Sequence, residues 1–150
     1  MPQSVLFVCL GNICRSPLAE GVFRALVQET AQADRFFIDS AGTGAWHVGN
    51  PPDPRSVETA ARHGVDISMQ RARKVHPGDF TRFDTIVAMD GSNLSTLQAR
   101  AGGGVAELRL LLTNPQRDVP DPYYGGPDGF ETVYRLVHTG CRELLETLSR

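Results

Sequence analysis

The stretch VLFVCLGNICRSP, residues 5–17, constrains the fold more than any other part of the chain. Its first five residues are apolar and begin on a β-branched side chain. A short apolar run of this kind reads as a strand buried on both faces, here Val5–Cys9. Strands buried on both faces belong to parallel sheets, because helices packed above and below are what bury a sheet completely. The residues that follow suit a helix. Ser16 is a natural N-cap and Pro17 fits a first turn. Leu18, Val22, Ala25 and Leu26 then recur at helical spacing, up to about Thr30. The stretch therefore predicts a strand, a tight turn and a helix.

The rest of the chain repeats that alternation. Phe36–Ser40 reads as a second strand, and the Gly- and Pro-rich segment after it as a long loop carrying the only tryptophan, Trp46. Asp53-Pro54 is a cap followed by a first-turn proline, and the helix it starts runs to about His63 before Gly64. Asp84–Met89 is a third strand, Ser92–Ala101 a helix and Ala106–Leu112 a fourth strand. Asn114–Gly129 reads as loop. Phe130, Val133, Val137, Leu144, Leu145 and Leu148 mark a long final helix. Alternating strands and helices predict an α/β fold with helices on both faces of a parallel sheet. The chain shows no repeat or internal boundary, and its 150 residues suffice for one domain, residues 1–150, with a sizeable core.

Charge and composition exclude several classes of function. The net charge of −2 gives no global basic field for nucleic acid or an anionic membrane. No apolar run approaches the roughly 20 residues that cross a bilayer. Val5–Leu10 is too short, and lacks the basic flank, for a secretory signal. The expected compartment is the cytoplasm. Cys9, Cys14 and Cys141 do not make a secreted disulfide framework, and Cys9 and Cys14 are spaced for neither a redox CxxC pair nor a zinc knuckle. The four histidines lack metal-ligand spacing, so no metal and no cofactor is expected.

The turn after the first strand is where chemistry is expected, since ligands of such sheets bind at strand carboxyl ends. A strand-to-helix turn gathers backbone N–H groups at a helix N-terminus, which makes an anion site. Leu10, Gly11, Asn12, Ile13 and Cys14 form that turn. Gly11 admits backbone geometry closed to other residues. Asn12 tolerates a left-handed conformation and can lock the loop. Arg15 offers a planar fork for two phosphate oxygens. Cys9 stands in the same positive field, which favours the thiolate over the free thiol, whose ordinary pKa is about 8.5. A thiolate aimed at bound phosphorus implies nucleophilic catalysis through a phosphocysteine. Ser16 would then stabilise the sulfur as a leaving group. The lysine of nucleotide-binding loops is missing. A lone C-x5-R recurs by chance, and a cysteine ending a strand also serves as a small hydrophobe. The strand–turn–helix context with Gly11, Asn12 and Ser16-Pro17 favours the catalytic reading.

Hydrolysis of a phosphate monoester also needs a proton for the leaving oxygen. The segment DVPDPYYGG, residues 118–126, supplies the candidate, Asp121, flanked by Pro120 and Pro122. A phosphate dianion nearby favours its protonated form. Asp118 competes for the role, and aspartate beside proline is also an ordinary turn residue. Tyr123, Tyr124 and Trp46 can wall a slot for a phenyl ring with Leu10 and Ile13 on its floor, or act as filler. A deep apolar slot admits phosphotyrosine and leaves phosphoserine short of the thiol.

Six motifs in order resemble the low-molecular-weight protein tyrosine phosphatases. They are Cys9-Leu-Gly-Asn-Ile-Cys-Arg15-Ser16-Pro, Ser40-Ala-Gly-Thr, Trp46-His-Val-Gly49, Asp53-Pro-Arg55, Met89-Asp-Gly-Ser-Asn-Leu94 and Asp121-Pro-Tyr-Tyr-Gly125. The resemblance spans nearly the whole chain. It implies a small Rossmann-like, three-layer α/β/α fold with a central four-stranded parallel sheet. It implies Cys9 as nucleophile, Arg15 as phosphate clamp and Asp121 as general acid. Asn12, Ser16 and Ser40 would support the phosphate loop, and Asp90 belongs to the same supporting network. Cys14 matches a loop cysteine that in many members forms a reversible disulfide with the nucleophile. The partners implied are a phosphotyrosine protein substrate and phosphate or another oxyanion. Many members carry a histidine where this chain has Gln70, ahead of Arg71-Ala-Arg73, so the support of Asn12 is the part of the pattern from which this sequence departs. Arsenate reductase, on a very similar scaffold, is the alternative. It needs extra cysteines to pass a disulfide outward, and the segment from Thr81 to Arg100 has none.

Overall fold

The computed structural model describes residues 2–123 and 125–150. In chain order the elements are β1 (Gln3–Cys9), α1 (Arg15–Glu29), β2 (Phe36–Gly42), α2 (Pro54–Arg62), α3 (Asp79–Arg82), β3 (Thr85–Ala88), α4 (Gly91–Arg100), β4 (Glu107–Leu110), a short hairpin of β5 (Leu112–Thr113) and β6 (Gln116–Arg117), and α5 (Pro127–Leu148). A single 3₁₀ turn at Ala33–Arg35 precedes β2. Strands β1 to β4 form one parallel sheet in the order β2-β1-β3-β4. The expected four-stranded parallel sheet is present, with helices on both faces.

Strand β1 is central, and its alternation divides the interior. Val5, Phe7 and Cys9 join the core built by Leu18, Val22 and Phe23 of α1 and by Val133, Val137 and Leu144 of α5. Leu6 and Val8 point the other way, to Phe80, Phe83, Ile86 and Leu97 beneath α3 and α4. Burying one such large side chain contributes roughly 1.5–3 kcal/mol, so a strand apolar on both faces is strongly fixed in place. Phe23 sits between Phe7 and Phe36, with ring centroids 5.6 and 5.3 Å away. The chain leaves β1 toward β2 on one side and returns through β3 on the other. The carboxyl end of β1 is therefore a topological switch point, where such sheets bind ligands.

The elements differ from expectation in several places, among them the unexpected one-turn α3 and a fourth strand that ends at Leu110 rather than Leu112. Helix α1 begins at Arg15 with Cys14 as N-cap and no capping side chain; Ser16, expected as the cap, is its second residue, with its hydroxyl 3.0 Å from Cys9 Sγ. Helix α5 starts at Pro127, one turn earlier than the apolar stripe suggests, its first turn resting on a proline that needs no N–H partner. The segment expected as loop after β4 contains the β5–β6 hairpin. Asp53 behaves as predicted: its side chain accepts from the Arg55 N–H and caps α2.

Candidate active site

The loop from Leu10 to Cys14 joins β1 to α1. Among the described residues, none of its five backbone N–H groups donates to a protein acceptor. Three of its carbonyls are bound: Leu10 accepts from the Gly44 N–H (2.9 Å), Ile13 from the Asp53 N–H (2.8 Å) and Cys14 from the Leu18 N–H (3.4 Å). The loop is thus tied by its acceptors and keeps its donors, which is what an anion site requires. Asn12, not Gly11, takes the left-handed backbone, with φ 58°. The missing side chain of Gly11 serves packing instead, since a Cβ there would meet the His47 ring at 3.0 Å. Gly42 is needed for close approach, because a Cβ on it would lie 2.9 Å from the Leu10 carbonyl oxygen.

A chain of side-chain hydrogen bonds runs behind the loop. The Arg73 N–H donates to Asn12 Oδ1 at 3.0 Å, which fixes the orientation of the amide. The Asn12 NH₂ then donates to Ser16 Oγ at 2.8 Å and Ser40 Oγ at 3.0 Å. Both hydroxyls receive at oxygen, so each has its proton free to donate onward. Ser40 donates to Glu20 Oε1 at 2.7 Å. Ser16 Oγ lies 3.0 Å from Cys9 Sγ, a contact in which a thiol can donate and a thiolate can only accept, and 3.5 Å from the Ala41 carbonyl, its weaker acceptor. Glu20 is buried, and burial pushes its carboxyl above the usual range, against the opposing pull of Ser40 and Arg24. Gln70 does not take part: its amide donates to the Pro17 carbonyl at 3.1 Å, and its own buried carbonyl oxygen has no partner.

Arg15 is only 3% exposed. Its Nη1 donates to Asp90 Oδ2 at 2.6 Å and to the Val119 carbonyl at 3.0 Å. Asp90 is itself fixed as the N-cap of α4, accepting from the Asn93 N–H at 2.7 Å. Burial works against the charge on Arg15, but Cys9, Asp90 and Asp121 outweigh it and hold the guanidinium pKa above its usual value. Asp121 Oδ2 stands 3.8 Å from Arg15 Nη2, on a side chain 43% exposed. Its other oxygen accepts from the Tyr123 N–H at 3.0 Å. Asp118 instead accepts from the Gly91 N–H at 2.9 Å, which ties its loop to the first residue of α4.

These groups line one cavity of about 300 Å³ with Cys9, Arg15 and Asp121 together in its wall. Gly11, Ile13, Cys14, Trp46 and Tyr123 also line it. Leu10 lines it from the rim: it is 46% exposed, whereas Ile13 is buried. Asn12, Ser16, Ser40 and Asp90 stand behind the wall as supports. Tyr124 lies outside the described residues. Cys14 is pushed up to about 12, first by burial and then by Asp53 and Cys9, so it is a neutral thiol beside the loop. Sequence reasoning missed His47, which shares the cavity wall, and Glu20. An acid among the apolar positions Leu18, Val22 and Leu26 was the available signal for Glu20.

Comparison with known proteins agrees with this geometry. The family model described as low molecular weight phosphotyrosine protein phosphatase matches residues 4–150. A low molecular weight phosphotyrosine protein phosphatase of Schizosaccharomyces pombe is 50% identical, over 97% of this chain and 96% of its own. The crystal structure of YfkJ from Bacillus subtilis superposes with a TM-score of 0.93 at 42% identity, covering 99% of this chain and 96% of that one. Wzb from Vibrio vulnificus, in complex with benzylphosphonate, superposes with a TM-score of 0.87 at 26% identity, covering 97% and 98%. With fold, loop and relatives in agreement, the chain belongs to the low molecular weight phosphotyrosine protein phosphatases, a family of hydrolases.

Proposed function

We propose that the chain hydrolyses phosphotyrosine in proteins, and small aryl phosphates, through a phosphocysteine on Cys9. The observation that carries this reading is the Ser16 hydroxyl, which accepts from Asn12 and lies 3.0 Å from Cys9 Sγ, in place to donate to a thiolate there. A hydroxyl donor on sulfur stabilises the thiolate, both as nucleophile and as leaving group. The five loop amides and the Arg15 fork receive the phosphoryl oxygens. Cys9 sulfur attacks phosphorus as the ester P–O bond breaks, and Asp121 gives its proton to the departing phenolate oxygen. Asp121, now a carboxylate, takes a proton from water. That water attacks phosphorus, the S–P bond breaks, and phosphate leaves with thiolate and protonated Asp121 restored. Ile13, Trp46 and Tyr123 supply apolar surface to an aryl ring. The substrates are phosphoproteins, the working compartment is the cytoplasm, and residues 1–150 act as one domain. Among the described residues, no helix is long and apolar enough to cross a membrane.

Arsenate reduction is disfavoured. The one further cysteine, Cys141, is fully buried in α5, with its thiol against the Ala19 carbonyl and its pKa raised by burial. It has no route by which to pass a disulfide outward.

The test is hydrolysis of p-nitrophenyl phosphate and of phosphotyrosine by the wild type, Cys9→Ser and Asp121→Asn. Cys9→Ser is expected to be inactive. Asp121→Asn is expected to slow poor leaving groups by about 10²–10⁴-fold and good ones less. Full activity in Cys9→Ser, or an inactive wild type, overturns the mechanism. Equal slowing of good and poor leaving groups removes Asp121 from the acid role.

A further inference from the structure

The motif Asp53-Pro-Arg55 stands outside the chemistry just described, yet Arg55 reaches the aryl side of the cavity. Its guanidinium forms a two-pronged contact with Asp53, Nε to Oδ1 at 3.0 Å and Nη2 to Oδ2 at 2.9 Å. Held this way, the guanidinium lies over two rings, with its carbon 4.6 Å from the centroid of Phe130 and 5.4 Å from that of Tyr123. Phe130 is buried in a small cluster with Ile13 and Cys14 of the phosphate loop. Asp53 is tied to the same loop, since its N–H donates to the Ile13 carbonyl at 2.8 Å. Tyr123 lines the cavity two residues beyond Asp121, and its N–H holds the Asp121 carboxylate.

We propose that Arg55 is a positioning residue that sets the aryl-binding wall, holding Tyr123 at a fixed distance from the phosphate loop. The charge of Arg55 is matched by Asp53, so it does not serve as a second phosphate clamp. What it offers is a flat cation fixed by its fork, on which the Tyr123 ring rests. Lysine has neither the fork nor the flat face. An aryl ring held by Tyr123 therefore depends on Arg55, whereas a phosphate held by the loop amides and Arg15 does not. This inference rests on the proposed phosphatase reading for its choice of ligand.

The test compares binding of benzylphosphonate and of inorganic phosphate by titration calorimetry, so it does not require turnover. Arg55→Ala is expected to weaken benzylphosphonate by about two- to thirtyfold and to leave inorganic phosphate unchanged. Arg55→Lys is expected to behave as Arg55→Ala does. In turnover of p-nitrophenyl phosphate the loss should fall on KM and spare kcat. In a Tyr123→Leu background, removing Arg55 should add little. Full rescue by Arg55→Lys would reduce the role to plain charge and overturn the proposal. Parallel weakening of both ligands, meaning the phosphate loop itself has moved, would overturn it too, as would no weakening of either. A wild type that binds benzylphosphonate but turns over no aryl phosphate contradicts the proposed function while leaving this comparison readable.

Discussion

Asn12 decides the proton arrangement behind the nucleophile. Because the Arg73 N–H occupies its carbonyl oxygen, its NH₂ points at two serines, and each serine hydroxyl keeps its own proton to donate. One of those donors faces sulfur and the other faces a buried carboxylate. A hydrogen bond to a charged group contributes about 1.5–3 kcal/mol. Ser16→Ala is therefore expected to lower kcat by about ten- to hundredfold, read from steady-state turnover of p-nitrophenyl phosphate. An unchanged kcat would remove Ser16 from the mechanism. Glu20 carries a pH signature of its own. Burial raises its pKa above the ordinary 4.5, so the folded state holds the proton to higher pH than the unfolded chain does. The stability this provides is complete below about 4.5 and is lost as pH rises through the folded-state value. Glu20→Gln has no such proton to lose. Thermal melts at a series of pH values should show the glutamine variant gaining on the wild type from about pH 4.5 upward. A constant difference, or one that moves the other way, contradicts that assignment.

At the scale of elements, single residues serve helix ends and the site together. Asp90 gives one oxygen to the first turn of α4 and the other to Arg15. Asp90→Asn keeps a capping oxygen but turns an N–H₂ toward the guanidinium. It is expected to unfold at nearly the wild-type urea midpoint while losing about tenfold or more in kcat/KM. A drop in stability with activity intact would place Asp90 in the scaffold alone. The elements themselves were legible where local physics dominates. The apolar run of β1, the Asp53-Pro54 cap and the Gly-rich break after α4 each declare themselves within a few residues. Helix α3 is one turn long and the β5–β6 hairpin two residues a side, too short for a periodic signal. The proposed nucleophile and clamp, Cys9 and Arg15, stand out in the sequence because they share one short loop, and the proposed acid, Asp121, because prolines frame it. The bonds from Asn12 to Arg73 and from Glu20 to Ser40 span 61 and 20 residues and follow from packing rather than from local pattern. The same holds for the Ser16 hydroxyl, which lies inside α1 and against the Cys9 sulfur rather than at the expected cap.

On the scale of the whole molecule, the sheet order puts the carboxyl end of β1 at the reversal of chain direction. The α1–α5 core clamps the same strand from behind. That core holds Cys141 fully buried, and burial keeps Cys14 a neutral thiol, so three cysteines have three different fates. Iodoacetate at neutral pH is expected to label one equivalent, on Cys9, and inorganic phosphate is expected to protect it. Labelling led by Cys14 or Cys141 would reverse the assignment of the nucleophile. The most direct measurement is mass spectrometry of enzyme acid-quenched during steady turnover of p-nitrophenyl phosphate. A phosphoryl group is expected on Cys9, absent when the substrate is withheld. An enzyme turning over briskly with no such adduct on Cys9, or with the phosphoryl group on another side chain, would contradict the phosphocysteine mechanism.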